Sequence, residues 1–147
     1  MFDLVVVGTD GSETATKAVE RSVELCKQSG AKLSIVSAFA PVSARQLKTE
    51  AAEAPADVQW MIHAREEVEE TLSAAAQIAA DGGVEAETFA RRGDPADAIL
   101  DVAEEQHADL IVVGNRGMTG AKRFLLGSVP NRVSHHAPCS VLIIRTQ

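Results

Sequence analysis

The chain has 147 residues, with 14 Lys+Arg against 21 Asp+Glu and a formal charge of −7. Its length suits one domain, residues 1–147, and 46% hydrophobic with 24% charged residues is a globular mix that excludes intrinsic disorder. The acidic balance and a 3% aromatic content argue against both a phosphate-backbone footprint and a base-stacking platform, so no nucleic-acid partner is expected.

The first segment, Phe2 to Val7, is an apolar run broken only by Asp3 and ended by Gly8. Such a run suits a strand buried on both faces in a parallel sheet. The start, Met1-Phe2-Asp3-Leu4, shows neither a basic leader nor a cleavage site. From Ser12 the period changes: Ala15, Ala18, Val19, Ser22 and Cys26 form one stripe of an amphipathic helix. Ser12 is its expected N-cap and Gly30 its expected stop. Cys26 falls on the apolar stripe as a core residue, far in sequence from Cys139, which fits a reducing cytoplasm better than a disulfide framework.

Lys32 to Phe39 reads as a second strand. Ala40 to Ala56 carries Pro41 and Pro55 and reads as a long irregular loop. Asp57 to Asp81 is a long helix with Met61, Val68, Leu72, Ala75 and Ala79 on one face, and Val84 to Ala90 a third, less buried strand. Asp94 followed by Pro95 starts the next helix, whose buried stripe is Ala96, Ile99, Leu100 and Ala103. Asp109 to Val113, Ser128 to His136 and Ser140 to Ile144 complete the series as strand, helix and strand. The longest apolar runs, such as Ile111-Val112-Val113, fall far short of the roughly 20 residues of a membrane helix, so no membrane partner is expected.

This β-α-β-α-β-α-β-α-β order, with right-handed crossovers, predicts an α/β fold: one open five-stranded parallel sheet with helices on both faces. Ligands of such sheets bind beyond the carboxyl ends of the strands. That rule selects Gly8–Ser12, Ser37–Pro41, Arg91–Asp94 and Gly114–Ser128.

The last of these segments is the most informative. Between Val113 and Ser128 it passes Gly114, Gly117, Gly120 and Gly127, with Arg116, Lys122 and Arg123 as a basic cluster in an acidic chain. Glycine lets backbone amides approach an anion closely, and a helix N-terminus adds its dipole. On glycine count alone, a plain turn with a capped helix and solvated basic side chains explains the stretch equally well. The spacing Gly114-x2-Gly117-x9-Gly127-Ser128 is neither the P-loop pattern nor the dinucleotide fingerprint. It resembles the nucleotide-binding motif of the universal stress protein family. Val5-Val6-Val7-Gly8-Thr9-Asp10-Gly11-Ser12 is similar to that family's opening strand and turn, and Ala108 to Gly114 to its fourth strand. Leu126-Gly127-Ser128-Val129, with Ala137 to Ile144, is similar to its last helix and strand. The likeness spans nearly the whole chain and is weakest at Ala40–Ala56.

The resemblance implies strand order 3-2-1-4-5, an adenine nucleotide alpha-hydrolase-like sheet. It also implies ATP as ligand, with or without Mg2+, and a role in stress response. Asp10 would lie by the ribose and adenine, or near the metal; Thr9 would line the pocket; Ala38 would meet the adenine. Val113, Gly114, Arg116 and Gly117 would wrap ribose and phosphates, and Gly127, Ser128 and Val129 would hold the phosphate tail. A charge-assisted contact from Arg116 to phosphate follows from its chemistry. For Asp10 the competing reading is an Asx-turn closing the first βα loop.

Among other polar groups, His135-His136 ends a helix, where adjacent residues point apart and make a metal pair improbable. His63 and His107 are read as solvent-facing in polar helical contexts, and the run Glu66 to Glu70 as a solvated acidic face. A two-component receiver would need an aspartate at the end of the third strand, where Arg91-Arg92 stands. A flavodoxin-like protein would need flavin-stacking aromatics. ATP hydrolysis needs a positioned water and a general base, and Asp10 is the one candidate. The expectation is therefore an adenine-nucleotide-binding regulator in which any ATPase activity is slow or incidental. Cyclic AMP or AMP is the alternative ligand, and a nucleotide-free scaffold the third reading. The apolar Val141–Ile144 segment, expected at a sheet edge, implies with the family resemblance a homodimer through this strand.

Overall fold

A computed structural model describes residues 2–39, 54–115 and 126–146. The five strands are β1 (Leu4–Gly8), β2 (Lys32–Phe39), β3 (Ala86–Arg92), β4 (Leu110–Gly114) and β5 (Ser140–Ile144). The helices are α1 (Glu13–Ser29), α2 (Ala54–Asp81), α3 (Pro95–Glu105) and α4 (Ser128–His136). The strands form one parallel sheet in the order β3-β2-β1-β4-β5, as expected.

Side chains alternate along each strand, so the sheet has two cores. Val5, Val7, Leu33, Ile35, Leu110 and Val112 face α1 and α2, where Val19, Cys26, Leu72 and Ala79 close the layer. Val6, Val36, Ile111 and Val113 face the other way, against Ile99, Val102 and Val133 of α3 and α4. The central strand β1 is buried on both sides, which is why its sequence reads as a continuous apolar run. Asp109 anchors its start by accepting the backbone N–H groups of Asp3 (2.8 Å) and Leu4 (3.1 Å).

The helix ends follow their local chemistry. Ser12 caps α1 by accepting from the amide of Ala15, and Gly30 ends it at φ 76°, a conformation that favours glycine. Asp94 caps α3 by accepting from Ala96 and Asp97, with Pro95 in the first turn.

Several bounds differ from the sequence expectation. The first strand runs Leu4–Gly8 rather than Phe2–Val7, and the fourth Leu110–Gly114 rather than Asp109–Val113, because the ladder pairs Gly8 with Val36 and Gly114 with Ile144. The third strand is Ala86–Arg92, shifted from Val84–Ala90, since β2 pairs as far as Phe39 with Arg92. Helix α2 begins at Ala54, three residues before Asp57 and inside the segment read as loop; residues 40–53 lie outside the described residues. His107 is exposed as expected, but it sits past the end of α3 at φ 55° and not within a helix.

Candidate functional site

Beyond the carboxyl ends of the paired strands β1 and β4 the chain leads to α1 on one face of the sheet and to α4 on the other, and a cleft opens there. Strand β1 and its turn contribute Gly8 and Asp10, and the start of α1 adds Ser12, Thr14 and Ala15. Opposite them stand Val113 and Gly114 of β4 with Val129 and Pro130 of α4, over Ile99 of α3. A Cβ on Gly8 would lie 2.9 Å from Ile99 Cγ1, so only glycine lets α3 press this closely against the strand.

The first corner satisfies itself. Thr9 Oγ1 accepts from the amide of Gly11 (3.1 Å), Asp10 Oδ1 from the amide of Ser12 (2.9 Å), and Ser12 Oγ from the amide of Ala15 (3.2 Å). Asp10 thus closes an Asx-turn through Oδ1 while remaining exposed on the cleft, so its two readings are compatible.

The second corner is built differently. Gly127 is the N-cap of α4, with φ −61° and ψ 163°, and no side chain caps the helix. The amide of Gly127 donates to the carbonyl of Asn115 (3.0 Å), joining the end of β4 to the start of α4. Of the next three positions, Pro130 has no N–H to offer. The amides of Ser128 and Val129 therefore form the positive end of the helix, and no described residue accepts from them.

Of the ten sequence-selected residues, the cleft brings together Asp10, Val113, Gly114 and Val129. Gly127 and Ser128 adjoin them at the α4 start. Ala38 lies two residues beyond Val36, the partner of Gly8, on the same sheet face. The Thr9 side chain departs from expectation. It shares the parity of Val5 and Val7, is 2% exposed, and lines a separate hollow with Thr71 and Ile78 on the α1–α2 face. Arg116 and Gly117 lie outside the described residues. Gly8 and Ser12 fall in a segment the sequence selected but were given no ligand role, and Thr14, Ala15, Ile99 and Pro130 were not selected; the hydroxyls at the start of α1 were the available signal, whereas Ile99 comes from a distant helix.

The remaining reactive groups lie elsewhere. Cys26 is 1% exposed, and burial pushes its thiol up to about 11. The Cys139 thiol is also raised, first by burial and then by the negative charge of Asp109. Both keep their protons at neutral pH, which disfavours a nucleophilic role. The rings of His135 and His136 are 6.5 Å apart and tilted by 53°. Among the described residues, no group of His, Cys, Asp or Glu is arranged to hold a metal ion. No helix of the described residues is long and apolar enough to cross a membrane.

Comparison with known proteins places this architecture. The model of the universal stress protein family matches residues 1–145. The universal stress protein YxiE of Bacillus subtilis is 40% identical over 151 residues, covering 99% of this chain and all of its own. A universal stress protein solved in complex with cAMP is 34% identical with a TM-score of 0.73, covering 99% of this chain and 98% of its own. The universal stress protein of Archaeoglobus fulgidus in complex with dAMP is 27% identical with a TM-score of 0.68, covering 99% and 98%. The chain belongs to the universal stress protein family.

Proposed function

We propose that this protein binds an adenine nucleotide in the cleft between the first βα corner and the start of α4, and acts as a stress-response regulator in the cytoplasm. The observation that carries the reading is the start of α4: a glycine N-cap without a side chain, followed by two amides for which the described fold supplies no acceptor. An anion placed there gains the helix dipole and charge-assisted hydrogen bonds. In this reading Gly127, Ser128 and Val129 hold phosphate. Val113 and Gly114, followed by Arg116 and Gly117 of the motif, take the ribose and the remaining phosphates. Asp10 faces the ribose and adenine or the metal of Mg-ATP, Ala38 meets the adenine, and Thr9 supports the turn.

ATP is the ligand we favour, and Gly114-x2-Gly117-x9-Gly127-Ser128 is its motif. Cyclic AMP or AMP is the second reading, supported by the relatives solved with cAMP and dAMP, which carry a single phosphate. The cleft presents Asp10 as its described carboxylate, and that group already accepts from Ser12, so we propose binding with at most slow hydrolysis. Mass spectrometry of nucleotide released from the purified protein, followed by calorimetric titration with ATP, cyclic AMP and AMP, tests the reading. Adenine nucleotide in the released fraction and saturable binding are expected. No release and no heat at millimolar ligand would remove it.

The same proposal includes a homodimer through β5. That strand ends the sheet, and its Leu142 and Ile143 are each 38% exposed, an apolar edge that pairing would cover. Light scattering at micromolar concentration should give twice the chain mass, and Leu142→Lys with Ile143→Lys should return it to the monomer.

A further inference from the structure

Past the last paired residues of β4 and β5, the ladder is completed by a side chain. Gly114 is in register with Ile144, and the amide of Asn115 donates to the carbonyl of Ile144 (2.8 Å). In a parallel ladder, the next bond runs from the amide of Thr146 to the main-chain carbonyl of Asn115. That carbonyl instead accepts from Gly127. The amide of Thr146 goes to Asn115 Oδ1 (2.9 Å), and the Thr146 hydroxyl lies 3.0 Å from the same atom. The Thr146 carbonyl accepts from Lys17 Nζ at 3.3 Å, so the segment after β5 is also tied to α1. Thr146 is 4% exposed.

We propose that Asn115 is a positioning residue for the nucleotide site: its carboxamide takes over a ladder bond and thereby frees its own peptide carbonyl to hold the α4 N-cap. A carboxamide oxygen has the acceptor geometry of a peptide carbonyl, so the substitution conserves the bond while moving it off the main chain. Both buried amides, Gly127 and Thr146, need an acceptor. With an apolar side chain at position 115, they compete for one peptide oxygen. When Thr146 wins, Gly127 loses its hold and the amides of Ser128 and Val129 lose their aim. The inference rests on the nucleotide-binding reading for its consequence, but the exchange of acceptors stands independently of it.

The experiment separates the two. Amide hydrogen exchange by NMR on the full chain reads Gly127 and Thr146 directly, and titration with ATP and with cyclic AMP reads the site. In the unsubstituted protein both amides should be protected. In Asn115→Ala one of the two should lose protection, and affinity for the nucleotide that binds should fall by about tenfold. Thr146→Ala keeps its amide and should lose less than about threefold. Asn115→Asp keeps the Oδ1 acceptor, so both amides should stay protected in it, whatever its added charge does to binding. Protection of both amides in Asn115→Ala would overturn the inference; so would loss of protection in Asn115→Asp, or unchanged affinity in Asn115→Ala beside binding by the unsubstituted chain. An unsubstituted chain that binds neither probe would defeat the functional reading, while the exchange data would still decide the swap.

Discussion

The first and last βα corners of this sheet start helices in opposite ways. At the first, Thr9, Asp10 and Ser12 use their own side chains to satisfy the amides of Gly11, Ser12 and Ala15. At the last, Gly127 stands where a capping side chain would be, and the fold turns that glycine's own amide inward to Asn115. The corner before α3 follows the first pattern, with Asp94 accepting from Ala96 and Asp97. A helix start stabilised by its own sequence has little left for a ligand. The uncapped one is where an external anion gains most, and it faces the same cleft as Asp10.

Supplying the missing cap should therefore erase the difference. Gly127→Asp places a carboxylate at an N-cap whose backbone is already extended, so the conformation accepts it. Thermal unfolding should show stability within about 1 kcal/mol of the unsubstituted chain, because the new cap offsets the burial of its carboxylate. Titration should show nucleotide affinity reduced by about 100-fold, or about 2.7 kcal/mol, because the site's anion is now internal and repels phosphate. Binding at the original strength would show that the two corners do not differ in function. The floor between them responds next. Gly8→Val should push into Ile99 and cost about 1–3 kcal/mol in denaturant unfolding, since the neighbouring side chain is buried and has little room to move. Asp10→Asn then sharpens the reading of the first corner. Asparagine preserves the Asx-turn, so stability should hold, while loss of the charge should weaken nucleotide binding by about tenfold. Equal affinity would leave Asp10 only its turn.

How much of this the sequence discloses depends on the range of the interaction. Period and caps are local, so α4 and β5 keep their expected bounds, and Ser12 and Asp94 cap where their chemistry indicates. Gly8 and Gly114 read as strand ends because glycine disfavours strands, yet both are paired, since a ladder bond needs only the peptide. The alternation of the third strand reads only as far as Ala90, although Arg91 and Arg92 continue the ladder opposite Ala38 and Phe39. The direction of Thr9 was legible in principle from its parity with Val5 and Val7. The acceptor exchange at Asn115 was not, because it joins three residues at positions 115, 127 and 146 that no window of sequence brings together.

The corner before α3 supplies the control that makes the comparison specific. Asp94→Ala removes two capping bonds, of 2.9 and 3.1 Å, from a helix that reaches the cleft only through Ile99. Unfolding should show a loss of about 1 kcal/mol, the ordinary cost of an N-cap. Nucleotide affinity should stay within about twofold, because Ile99 is held by the core around Val6 and Val36 rather than by the first turn of its helix. If affinity instead fell in step with stability, the effect of Gly127→Asp could be ascribed to general loosening of helix starts. If the two separate, the open end of α4 is set apart by what it leaves for an anion.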